Sequence, residues 1–73
     1  MTSKIEFEYA MKRAGLTRED VAKCLDFSVA TLSDRINNKS LFRSSEIAKL
    51  MDLLKIESIG ELKRIFFAEI VER

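Results

Sequence analysis

The residue types that carry most metal and hydrolytic chemistry are scarce in this chain. It has no histidine and one cysteine, Cys24, in 73 residues, so the usual ligand set for zinc and the usual general base are both missing. No metal site, no cofactor and no enzyme is expected. What remains is hydrogen bonding and charge, concentrated from Leu16 to Lys39 in LTREDVAKCLDFSVATLSDRINNK. Thr17 can cap the first free amides of a helix, and Asp20, three residues on, favours the positive helix end. Val21, Ala22 and Leu25 then fall on one side of that helix, leaving Arg18, Glu19 and Lys23 outside. Asp26 tolerates the left-handed backbone that ends a helix, and Phe27 should turn inward beneath the bend. Ser28 caps the next helix, which buries Leu32 and Ile36, four apart, and presents Val29, Ala30, Ser33 and Asp34 outward. Asn37 and Asn38 close it.

This order of residues resembles the helix-turn-helix of the lambda-repressor-like family, also called the XRE or Cro type. That family runs through a polar residue, an acidic residue, an apolar-Ala pair, a Gly-containing turn, Ser or Thr, then an apolar helix ending near Asn-Gly-Lys. The corresponding strings here are REDVA, LDFS, ATLSDRIN and NK, and the resemblance spans the first three quarters of the chain. Ala22 fits it because the two helices cross closely at that position, where a larger side chain would push them apart. The chain departs from the pattern at four positions. Arg18 stands where Gln is usual, Asp26 and Asn38 stand where glycines are usual, and Asp34 stands where Arg or Gln is common. Arg can grip a phosphate, and Asp or Asn can adopt a positive φ.

The resemblance implies a sequence-specific regulator of phage or bacterial type, a repressor that occupies double-stranded DNA with its third helix in the major groove. Val29 and Ala30 would touch thymine methyl groups. Ser33 and Asp34 would hydrogen-bond to base edges, Asp34 accepting from a cytosine or adenine amino group, and Thr31 would either join this base-reading set or face a phosphate. Phosphate anchoring would fall to Arg18, to Ser28 with the amino end of the third helix, to Asn38 with Lys39, and to Arg43. Lys39 and Arg43 take that role because the family's loop after the third helix follows the DNA backbone; a solvated surface explains them equally well. A second reading keeps the scaffold but turns the apolar and acidic face of Val29, Ala30 and Asp34 toward a protein partner.

Seventy-three residues suit one domain over 1–73, at a size where a single core is small but sufficient. The absence of proline and the near-half apolar content suit an all-α bundle. There is no amino-terminal apolar run and no stretch long enough to cross a bilayer, so a cytoplasmic protein and no membrane partner are expected. The net charge of +1 is low for a nucleic-acid-binding domain. Its distribution is uneven: residues 1–43 hold eight basic and six acidic side chains, +2, whereas residues 44–73 hold five and six, −1.

The other elements follow from capping and periodicity. Ser3 and Glu6 open a first helix over 4–14, with Phe7, Ala10, Met11 and Ala14 inward, Tyr9 half-buried at the edge, Gly15 as its stop and Leu16 folding back. The motif adds helices over 18–25 and 29–37. Phe42 should anchor the following loop. Ile47, Leu50, Met51 and Leu54 set a fourth helix over 44–55, and Ser58 with Glu61 opens a fifth over 59–66 with Leu62, Ile65 and Phe66 inward. Five helices match the resemblance. Phe67, Ile70 and Val71 are surplus to such a core, so they either form the contact of a weak homodimer or fold onto the first helix of their own chain.

Overall fold

A computed structural model of the chain describes the backbone of residues 1–71 and the side chains of residues 1–69. The order is α1 (Lys4–Ala14), α2 (Arg18–Cys24), α3 (Val29–Ile36), α4 (Ser44–Leu53), α5 (Ile59–Phe66) and a single turn, α6 (Ala68–Val71). There is no strand among the described residues, and the all-α bundle expected from the sequence is the architecture observed. No described helix is long and apolar enough to cross a membrane. The five expected helices are present. α2, α3 and α4 stop one or two residues early, and α6 is additional.

The early stops share one physical cause. α1 to α4 each run into a single left-handed residue: Gly15 (φ +73°), Asp26 (+61°), Asn38 (+66°) and Lys55 (+56°). At each end two amides turn back on the last helical carbonyls, as in the pairs Phe27 N–H to Ala22 C=O (2.8 Å) and Asp26 N–H to Lys23 C=O (3.2 Å). The same pattern joins Leu16 to Met11 (2.9 Å), Lys39 to Asp34 (2.8 Å) and Ile56 to Met51 (2.9 Å). It satisfies carbonyls that a helix end would otherwise leave without partners. The residue after each left-handed position returns toward the helix it has just left. In three cases it is apolar, Leu16, Phe27 and Ile56, and packs in or against the core. In the fourth it is Lys39, which is exposed.

The helix starts are capped as the sequence predicts. Ser3, Thr17, Ser28 and Ser58 each accept an amide three residues on, at 3.1–3.3 Å. At α2 the box is reciprocal, with Thr17 N–H donating to Asp20 Oδ2 at 2.9 Å. α4 has no such hydroxyl; instead the Glu46 carboxylate accepts the Arg43 N–H at 2.8 Å.

Phe7, Ala10, Met11, Val21, Ala22, Leu25, Leu32, Ile36, Leu50, Leu54, Ile56, Ile65 and Phe66 form one core. Phe42 reaches it from the α3–α4 loop. Its ring stacks on Phe7 (centroids 5.7 Å apart) and meets Phe66 edge to face (5.6 Å), while Phe7 and Phe66 also meet edge to face (6.1 Å). Three chain segments are thereby fastened through aromatic contacts in favourable geometries. Tyr9 is not half-buried as expected but 62% exposed, because Phe7, Ala10 and Met11 already fill the inward arc of α1 and leave Tyr9 opposite them.

Candidate nucleic-acid interface

α2 and α3 pack on one another across the bend at Leu25–Ser28, with Val21 and Ala22 of α2 and Leu32 and Ile36 of α3 buried together in the core. Ala22 is almost wholly buried, and the absence of a longer side chain there allows the close approach of the two helices. With Leu32 and Ile36 inward, the opposite arc of α3 must face out. On that arc Ala30 and Asp34 are exposed, with Thr31 and Ser33 half-buried at its flanks; Val29, three residues before Leu32 and seven before Ile36, shares their side of the helix and is 41% exposed as the residue that opens α3.

The candidate contacts divide into free and engaged groups. Lys39 and Arg43 are exposed, and the ion pairs found among the described residues use other cations: Arg13, Arg18, Arg35 and the Met1 ammonium. Ser28 is committed to capping: its Oγ accepts the Thr31 N–H at 3.1 Å and shares a 3.0 Å hydrogen bond with the Thr31 hydroxyl. Arg18 does not extend freely from the start of α2. Its Nη2 donates to Glu8 Oε2 of α1 at 2.6 Å and its Nη1 donates to Ser33 Oγ of α3 at 2.9 Å. Asn38 is engaged as well. Its Oδ1 accepts the Thr2 N–H at 2.7 Å and its Nδ2 donates to the Thr2 C=O at 3.0 Å, so the side chain satisfies both backbone polar groups of Thr2. A phosphate role for Arg18 or Asn38 would require these partners to be shared or released.

Sequence reasoning missed the group that holds the α3–α4 loop. Arg35 forms an ion pair with Glu46, with side chains 14% and 15% exposed, and its guanidinium lies 4.8 Å from the centroid of the Phe27 ring. Glu46 also caps α4 through the Arg43 amide. One carboxylate therefore ties α3 to the residue that opens α4, with Lys39 between them and the backbone of Arg43 held directly. The only local sign of this in the sequence is Glu46 at the third position of its helix; Arg35 lies 11 residues away, beyond any helical periodicity. A carboxylate below its usual range marks the other end of the motif: Asp20 is held down first by the Thr17 backbone N–H and then by the Thr17 hydroxyl.

A family model described as "Protein of unknown function (DUF739)" matches residues 6–69, which takes in every element from within α1 to the start of α6. The chain belongs to the DUF739 family. No curated protein and no solved structure matches it. A second surface feature is an apolar groove of about 210 Å³ whose lining includes Leu41, Phe42, Ile47, Phe66 and Phe67 of the matched segment together with Met1 and Thr2 before it. Phe67 is 38% exposed at its edge. Of the three residues expected to be surplus to the core, Phe67 alone has a described side chain; those of Ile70 and Val71 lie outside the described residues. The backbone of this tail folds onto its own chain, with Ala68 N–H donating to Met1 C=O at 2.9 Å.

Proposed function

We propose that this DUF739 protein is a sequence-specific double-stranded DNA-binding regulator of Cro or repressor type, acting in the cytoplasm by occupying an operator. The observation that carries this reading is the outward arc of α3, where Ala30 and Asp34 are exposed while Leu32 and Ile36 are fully buried, with Val29 exposed at the amino-terminal end of the same helix. A rigidly seated helix with a mixed apolar and polar outer face fits the major groove, whose base edges differ in donors, acceptors and methyl groups. Val29 and Ala30 contact thymine methyls, Asp34 accepts from a cytosine or adenine amino group, and Thr31 and Ser33 flank them. Lys39 and Arg43, free of ion pairs among the described residues and held by a fastened loop, neutralise phosphates beside that helix. Ser28 and the amino end of α3 face the same backbone. Two copies, joined through the tail at Phe67, Ile70 and Val71, bind a near-palindromic site as a weak homodimer.

Asp34 provides the test, because its charge opposes DNA unless it reads a base. Asp34→Ala should lose preference for a selected site while keeping or raising binding to random duplex, measured by competition. Retention of full site preference would remove Asp34 from the reading set. Loss of capture of another protein, with no DNA retained by either form, would instead favour a protein-binding use of the same face.

A further inference from the structure

Arg18, Glu8 and Ser33 join three helices at one point, and the functional reading above makes no use of Glu8. The Arg18 guanidinium lies 2.6 Å from the Glu8 carboxylate and 2.9 Å from the Ser33 hydroxyl. Both charged side chains keep access to water, at 29% for Arg18 and 44% for Glu8, so the pair itself adds little to stability. Its effect on DNA binding is larger. The salt dependence of that binding counts phosphates neutralised by net positive charge, and a guanidinium already neutralised by a carboxylate releases no counterion on docking. Arg18 stands at the start of α2, within reach of the α3 face, yet its charge is cancelled on the protein.

We propose that Glu8 acts as a latch that withholds the Arg18 charge from the DNA backbone and so limits sequence-independent binding; this rests on the DNA-binding reading. Arg18 in the latched state is a positioning residue. It can only donate hydrogen bonds, so in its contact with Ser33 the serine oxygen is the acceptor. The hydroxyl hydrogen of Ser33 is then directed away from Arg18, and Ser33 meets the groove as a donor, suited to guanine N7 or O6, adenine N7 or thymine O4. Removing the Glu8 charge frees the guanidinium for a phosphate and raises affinity for DNA of any sequence.

The experiment is a four-protein cycle of wild type, Glu8→Gln, Arg18→Ala and the double variant, titrated with random duplex across a salt series. Gln keeps the length of the side chain and an oxygen for Arg18 but removes the charge. Glu8→Gln should steepen the plot of log affinity against log salt by about 0.9, which is roughly eightfold in affinity at 0.1 M salt. Arg18→Ala alone should leave the slope of the wild type nearly unchanged, and the double variant should return to it. Circular dichroism and melting temperature report whether each variant keeps the fold, and the Arg18 guanidinium nitrogen signals report the ion pair directly, without DNA. If Glu8→Gln steepens the slope equally with and without Arg18, Glu8 acts only through the general field and the latch is overturned. If Arg18→Ala alone makes the slope shallower by a full unit, Arg18 is a free anchor and the latch is likewise overturned. Retention of no duplex by any of the four proteins would overturn the DNA reading itself, a different outcome from binding without coupling.

Discussion

Asp20 connects a single hydrogen-bonded carboxylate to the stability of the motif. Its folded pKa is depressed, chiefly by the Thr17 backbone N–H and then by the Thr17 hydroxyl, below an unfolded value of about 3.9. Its contribution is therefore present above the unfolded pKa and is lost as pH falls through the folded one. Asp20→Asn should melt lower than wild type at neutral pH, and the two melting curves should converge as pH is lowered from about 5 to about 2. A constant offset across that range would show that the capping box does not depend on the charge. On the other side of α3, Lys39→Ala and Arg43→Ala should each weaken selected and random DNA alike and make the salt slope shallower by about 0.9. Unchanged slopes in both would reject the phosphate placement. Exposure of Ala30 and Asp34 was legible from periodicity, because Leu32 and Ile36, four apart, dictate the opposite arc. The partners of Arg18 and Asn38 were not. Glu8 lies 10 residues from Arg18, and Thr2 lies 36 from Asn38, so only tertiary packing brings each pair together.

The helix ends show where local sequence signals work and where they fail. Gly15 and Asp26 announce their turns by residue type, and the apolar residue after each, Leu16 and Phe27, confirms them. Lys55 announces nothing. The stripe of Ile47, Leu50, Met51 and Leu54 predicts that α4 continues through it, yet the helix ends at Leu53 with Lys55 left-handed. The signal lies in Ile56, an apolar residue directly after Lys55, as Leu16 follows Gly15 and Phe27 follows Asp26; it is buried because it folds back under α4. Asn38 and Lys55 share a backbone conformation but not its consequences. Lys55→Gly should raise stability by about 0.5 kcal/mol, since relief of left-handed strain exceeds the added freedom of the unfolded chain. Asn38→Gly should lower it by about 1–2 kcal/mol, because the amide pairing with buried Thr2 is lost. Chemical denaturation of the two variants checks the contrast, and a gain in both would mean that the Asn38–Thr2 bonds contribute little.

At the scale of the whole molecule, the core is small and its parts are coupled. α1 meets α5, where Arg13 pairs with Glu61 and also donates to the Leu54 carbonyl at 2.8 Å. The Phe7, Phe42 and Phe66 rings carry that framework to the loop between α3 and α4. The outer arc of α3 is thus held from the far side of the protein, which is what a reading helix requires if its side chains are to meet base edges without reordering. A single copy offers one such helix, whereas a two-fold pair offers two about 34 Å apart, one turn of B-DNA. The most direct measurement of the central claim is the affinity of the wild-type chain for a duplex selected from a randomised pool, compared with an unselected duplex of equal length at physiological salt. If α3 reads bases, the selected duplex should bind at least about a thousandfold more tightly, with two proteins per site and two half-sites one helical turn apart. Equal affinity for selected and unselected duplexes, or retention of neither, would contradict it.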